Sequence, residues 1–179
     1  MVSLPKAMIV DLDGTLCDHR HRIHLAENGD YECFYAAMSE DKVNIPIREI
    51  IRRFGIVDQG WRLYELDILF FTGRPKRYRE KTINWLNEAD LDTSYTLFMR
   101  PDYLPGQDIY FDLHDPSQCN IEGCDCRNLK TDNRPAHIVK KETYESQIKN
   151  KYDVLFVIDD SEECCQMYKN LGLTVLKVM

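Results

Sequence analysis

The stretch that most constrains this chain is Ala7-Met-Ile-Val-Asp-Leu-Asp-Gly-Thr15, four apolar residues that stop at two carboxylates one residue apart. Gly14 breaks the run too early for a helix, so it predicts a short buried strand with Asp11 and Asp13 at its carboxyl end. In an open α/β sheet that edge is where ligands bind. Side chains alternate along a strand, which puts Asp11 and Asp13 on one side about 7 Å apart, with Leu12 turned into the core. Two like charges this close call for a cation or a shared proton. Oxygen donors without a nearby sulfur suit Mg²⁺. Gly14 lets the chain turn tightly, and Thr15 offers a hydroxyl to hold Asp13. An ordinary acidic turn after a strand would account for these few residues equally well.

Two further apolar runs end the same way. Asp67-Ile-Leu-Phe-Phe-Thr72 reads as a strand running into the turn Thr72-Gly-Arg-Pro75, and Val154-Leu-Phe-Val-Ile158 as a strand ending in Asp159-Asp160. For that aspartate pair, capping of the next helix is a competing role. Tyr95–Met99, closed by Arg100, and Leu173–Val178 are the remaining strands. Between them lie helical patterns over Ile45–Phe54, Lys76–Ala89, roughly 141–150 and roughly 161–170. Strands alternating with helices predict an α/β, three-layer α/β/α sandwich on a mainly parallel sheet. Parallel strands align their carboxyl ends, so Asp11/Asp13, Thr72/Arg74 and Asp159/Asp160 converge.

The segment 17–43 reads as a short helical flap or small cap over the strand end. Its His19-Arg-His-Arg22 either meets an anionic substrate or lies as a solvated basic loop. A length of 179 residues suits one domain spanning 1–179. The start lacks a signal-peptide pattern, and no run approaches the ~20 residues of a membrane span. Seven cysteines, an odd number spread over different elements, argue for reduced thiols and a cytoplasmic setting. A net charge of −7 gives no global attraction for a polyanion, so contact with nucleic acid must rest on a local basic patch.

Asp11-Leu-Asp-Gly-Thr15 resembles the nucleophile motif of the haloacid dehalogenase (HAD) superfamily of phosphohydrolases. Within it the chain resembles the phosphatase domain of polynucleotide kinase 3′-phosphatases. That likeness rests on five stretches: Asp11–Thr15; Phe71–Pro75 with Tyr78, Arg79, Thr82 and Trp85-Leu86; Met99-Arg100; Arg134-Pro-Ala-His-Ile-Val-Lys140; and Ile158–Asp160 with Met167 and Gly172. The resemblance implies a HAD-like Rossmannoid sheet and a metal-dependent phosphatase. It makes Asp11 the nucleophile, Asp13 the acid/base, and Thr72 and Lys140 the ligands of the phosphate. Mg²⁺ would be held by Asp11, Asp13 through its carbonyl, and the Asp159-Asp160 pair. Arg74, Arg100 and Arg134 would hold substrate, joined by Arg20 and Arg22 of the basic segment.

Two departures stand out. Such proteins often carry arginine directly after the paired aspartates, where this chain has Ser161, and residues 101–131 form a long cysteine-containing insertion. Within the insertion His114, Cys119, Cys124 and Cys126 fall inside thirteen positions. Structural Zn²⁺, a loop of free thiols, and a disulfide from Cys119 to Cys124 or Cys126 are the three options. No G-x-x-x-x-G-K-[ST] stretch is present, so this chain contains no P-loop kinase motif. The expectation is a Mg²⁺-dependent phosphomonoesterase, monomer or homodimer, acting on nucleotide phosphates, with 3′-phosphate ends of nucleic acid foremost. The alternatives are a 5′-nucleotidase on free mononucleotides and a non-enzymatic HAD-fold binding module.

Overall fold

The computed structural model describes residues 3–55, 66–91, 93–103 and 132–179. Five parallel strands, β1 (Lys6–Val10), β4 (Asp67–Pro75), β5 (Tyr95–Arg100), β6 (Asp153–Asp159) and β7 (Val175–Lys177), form one sheet in the order β5-β4-β1-β6-β7. Strand β1 is central because it is apolar on both faces, and its residues 7–10 are all buried. Met8 and Val10 pack with Phe70, Ile47, Ile51, Trp85 and Leu86, on the side covered by α3 (Ile45–Gly55) and α4 (Arg79–Glu88). Ala7 and Ile9 pack with Leu69, Phe71, Val157, Tyr144, Ile148 and Tyr168, on the side of α5 (Ala136–Thr143) and α6 (Glu162–Asn170). The two-residue period of a single strand thus builds both halves of the core. Burying each large side chain contributes roughly 1.5–3 kcal/mol, so Ile9→Ala would cost about 2–5 kcal/mol.

From β1 the chain builds outward through β4 and β5, then returns to the other flank of β1 for β6 and β7. The strand order therefore reverses beside β1, and a crevice opens there at the carboxyl ends. Over that edge lies the segment 17–43: a two-stranded hairpin of β2 (Cys17–Asp18) and β3 (Lys42–Val43) encloses α1 (Ile23–Glu27), α2 (Tyr31–Ala36) and a 3-10 turn over Ala37–Glu40.

Several boundaries differ from the sequence reading. Strand β4 runs through Thr72-Gly-Arg to Pro75, with its register against β5 shifting between Thr72 and Pro75. Helix α5 begins at Ala136 rather than near 141, because Pro135 supplies the fixed extended residue ahead of a first turn; a π-helical turn over Tyr144–Ile148 follows. The proposed zinc ligands His114, Cys119, Cys124 and Cys126 lie outside the described residues. Among those described, no helix is long and apolar enough to cross a membrane.

Candidate active site

Asp11 follows β1 directly, and its backbone N–H donates to Ile158 O at 3.0 Å, which ties the first carboxylate to the end of β6. Asp159 is the last residue of β6. Lys140 reaches both from α5: its Nζ donates to Asp11 Oδ1 and Asp159 Oδ2, each at 2.7 Å, with all three side chains nearly inaccessible. The remaining Asp159 oxygen accepts from Ser161 N at 3.0 Å. Ser161 also caps α6 through Cys164 N, so the aspartate pair is spared that task.

Thr15 does not hold Asp13. Its hydroxyl donates to Asp160 Oδ1 at 3.0 Å instead, because Asp13 is already saturated by stronger, charged donors. Gly14 between them has φ +91°, and a Cβ built there would clash with Asp160 Oδ2. The glycine serves both conformation and close approach.

Asp11, Asp159 and Asp160 offer carboxylate oxygens within 4.8 Å of one another. Burial pushes the Asp11 carboxyl above its ordinary range, and the Asp159 and Asp160 charges add to that push against the pull of Lys140. Three carboxylates facing one ammonium leave this cluster with excess negative charge. Thr15 engages one Asp160 oxygen and Lys140 one Asp11 oxygen. A hard divalent cation fits such a cluster, and it would bring Asp11 back to the ionised form.

The carboxylate of Asp13 points elsewhere. Arg74, at the end of β4, grips it through Nε at 2.9 Å and Nη2 at 2.7 Å, and Arg22 of the flap adds Nη2 at 2.5 Å. Thr72, also in β4, donates its hydroxyl to Asp13 Oδ2 at 3.3 Å. Burial alone would raise this carboxyl; the two guanidiniums outweigh it and hold Asp13 well below the usual carboxylate range. Both arginines are 0% exposed. They are stacked as well as paired, Arg22 over the Phe34 ring at 4.1 Å and Arg74 over Trp85 at 5.9 Å.

The other arginines singled out in the sequence are placed differently. Arg100 donates to the carbonyls of Gly73, Asp132 and Arg134, which joins the Thr72–Pro75 turn to the approach of α5. Arg134 is paired with Asp132 and Glu142. Arg20 stands at the surface with 85% of its side chain exposed, paired with Asp18.

One participant gave no sequence signal. Asp41 sits in Ser39-Glu-Asp-Lys42, which reads as an ordinary polar surface run, yet its side chain is fully buried between Arg22 and Arg74.

The carboxylates of Asp11, Asp159 and Asp160 with Lys140, and Asp13 with Thr72, Arg74 and Arg22, thus gather at one sheet edge, acidic and basic groups side by side. The chain is 22% identical over 97% of its length to a protein of Autographa californica nuclear polyhedrosis virus provisionally described as a bifunctional polynucleotide kinase/RNA ligase, covering 19% of that protein. It superimposes on a chain of the Pnkp1/Rnl/Hen1 complex with a TM-score of 0.67 and 26% identity, over 99% of this chain and 47% of that one. For a chain from a structure of the Pnkp1/Rnl/Hen1 RNA repair complex the values are 0.64 and 24%, over 99% and 43%. The chain thus spans less than half of the solved chains, and about a fifth of the viral protein. The model of the polynucleotide kinase PNKP phosphatase domain, a HAD-superfamily domain, matches residues 5–111 and 112–179, and the chain belongs to that family.

Proposed function

We propose that the protein is a Mg²⁺-dependent phosphomonoesterase that removes 3′-phosphates from nucleic-acid ends through an aspartyl-phosphate. The observation that carries this reading is the meeting, at the strand-order reversal, of Asp11, Lys140 and Asp159 in one buried cluster and Asp13, Thr72 and Arg74 in the next. A binding module has no need of both a nucleophile and a separate acid/base. Residues 1–179 would act as one phosphatase domain, with 17–43 as a small cap.

An Asp11 oxygen attacks phosphorus while the bond to the sugar oxygen breaks, and Asp13 gives that oxygen its proton. Asp13 then takes a proton from water as the water oxygen attacks phosphorus of the acyl phosphate; the P–O bond to Asp11 breaks, releasing phosphate and leaving Asp11 ionised and Asp13 protonated as at the start of the cycle. Lys140 and the Thr72 hydroxyl donate to the phosphoryl oxygens as charge shifts onto them. Asp11, the Asp13 carbonyl and the Asp159-Asp160 pair would hold Mg²⁺, which would supply positive charge to offset that of the phosphate. The paired arginines favour the ionised Asp13 that accepts water's proton. A phosphate dianion arriving beside Thr72 brings negative charge next to Asp13, which raises its carboxyl toward the value an acid needs while Arg22 and Arg74 stay in place.

A second reading, hydrolysis of free 5′-mononucleotides, has one observation in its favour. Arg20 and Arg134 are already neutralised by Asp18, Asp132 and Glu142, which leaves less charge for a phosphate backbone. Phosphate release from 3′-phosphorylated oligonucleotides, 3′-mononucleotides and 5′-mononucleotides, in EDTA and then with Mg²⁺ or Ca²⁺, decides between them. Activity should require Mg²⁺, with Ca²⁺ a poor substitute because of its larger, looser shell. Asp11→Asn should abolish turnover and leave the fold intact. Metal-independent hydrolysis, or an Asp11→Asn rate within about tenfold of the parent against the larger loss a missing nucleophile causes, would remove this mechanism.

A further inference from the structure

Asp41 is a buried carboxylate that the chemistry above leaves without a task. It follows the 3-10 turn of the flap, and its carbonyl accepts from Trp85 Nε1 at 2.9 Å, which pins the flap to α4. Its Oδ1 accepts from Arg22 Nε at 2.6 Å and faces His21 Nε2 at 2.9 Å. Its Oδ2 accepts from Arg22 Nη2 at 2.6 Å and Arg74 Nη2 at 3.1 Å. Those same two Nη2 atoms are the ones that reach Asp13 Oδ1.

Two guanidiniums are therefore each shared between two carboxylates, Asp13 on the substrate side and Asp41 behind. The four charges cancel. A guanidinium is a rigid planar fork, so gripping one edge fixes the direction of the other. Without Asp41, two buried cations would face one carboxylate, repel each other and lose the rear anchor that sets their angle. The neighbours do not replace it: Phe34 offers Arg22 a ring face and a carbonyl, and Met38 offers Arg74 a thioether.

We propose that Asp41 is a positioning residue, which holds Arg22 and Arg74 against Asp13 so that the acid/base carboxylate is fixed for proton transfer to the leaving oxygen. The inference rests on the reading of Asp13 as the acid/base, and the test separates the two. A sugar oxygen needs a proton to leave; p-nitrophenolate does not. Rates are measured on a 3′-phosphorylated oligonucleotide and on p-nitrophenyl phosphate for the parent, Asp13→Asn, Asp41→Asn and Asp41→Glu, with thermal melting of each.

Asp13→Asn should lose far more on the oligonucleotide than on the aryl ester. Asp41→Asn should show the same bias, with kcat on the oligonucleotide falling about 10²-fold, the lower range for proton-transfer catalysis, KM changing little, and the aryl ester much less affected. Asp41→Glu keeps the network neutral and should restore part of the loss, which a role confined to packing would not predict. If Asp13→Asn slows both substrates equally, the acid/base assignment fails. If Asp13→Asn discriminates and the Asp41 variants slow both substrates alike, or neither, the positioning role is overturned. Failure of both Asp41 variants to fold would assign the residue to the fold alone and overturn it as well.

Discussion

Lys140 Nζ lies 2.7 Å from Asp11 Oδ1 and 2.7 Å from Asp159 Oδ2, so one ammonium from α5 closes the gap between the ends of β1 and β6. Burial opposes its charge, but the two carboxylates prevail and hold Lys140 well above the ordinary lysine range. Lys140→Met would leave two buried carboxylates facing each other. Breaking a buried pair of this kind costs about 3–5 kcal/mol, and losing one preorganised donor to a phosphoryl oxygen costs about 10²–10³ in kcat. Thermal melting should therefore show a marked loss without metal that Mg²⁺ partly restores. A variant melting with the parent in both conditions would place Lys140 outside the cluster.

Gly14→Ala tests the turn between the two carboxylates. The new methyl runs into Asp160 Oδ2 and the residue must hold φ +91°, so either Asp160 swings away from Thr15 or the turn moves. Backbone strain of this type costs roughly 1–3 kcal/mol. The larger effect should fall on cation affinity, because Asp160 belongs to the candidate metal cluster. Titrating activity with Mg²⁺ should show a higher half-saturating concentration, with near-parent kcat recovered at saturation if only the metal ligand has been displaced.

Asp13 predicts an acid-dependent part of the stability. Its folded carboxyl is held below the unfolded value by Arg74 and Arg22, so the pair stabilises the fold fully above about pH 4, the unfolded aspartate range, and progressively less as pH falls toward the folded value. Asp13→Asn removes that dependence and leaves two arginines sharing Asp41. Urea unfolding at pH 7 should find the variant less stable than the parent, and the gap should narrow as pH drops below about 4. A gap independent of pH would mean that the arginines do not hold Asp13 ionised.

How far the sequence reveals this molecule depends on whether a residue's partners are near it in the chain. The sheet was legible because Met8-Ile-Val10 and Ile68-Leu-Phe-Phe71 carry their own burial signal, and because each run stops at a polar residue that names the edge. Lys140 was legible only through the motif around it; alone it is one lysine on a helix, and its burial comes from Asp11, which is 129 residues away. Arg22 stands in a run of histidine and arginine that reads as a solvated loop, yet it is buried beneath Phe34, whereas Arg20 two residues earlier is exposed. Asp41 could not be found by pattern, since a single buried carboxylate has no period and its partners come from two separate segments. The start of α5 at Ala136 was hidden by Pro135, whose extended residue can as well end a loop as open a helix.

The two substrate readings separate through salt. An oligonucleotide engages several phosphates, and each one neutralised by a protein cation releases counterions, whereas a mononucleotide offers one phosphate. Arg22 is buried and committed to Asp13 and Asp41, so the flap's contribution must come from exposed cations; Arg20 and Lys42 line the same groove beside Gly14 and Asp160. For a 3′-phosphorylated oligonucleotide the logarithm of kcat/KM should fall with the logarithm of salt concentration by about 0.7 per phosphate held, and for a mononucleotide the dependence should be weak. Arg20→Ala with Lys42→Ala should flatten the oligonucleotide slope by about one contact's worth and leave mononucleotide hydrolysis nearly unchanged, because neither side chain touches the reacting groups. Low salt is where electrostatics helps the polymer most. If kcat/KM for a 5′-mononucleotide exceeds that for the oligonucleotide even there, the neutralised arginines decide the matter and the mononucleotide is the substrate.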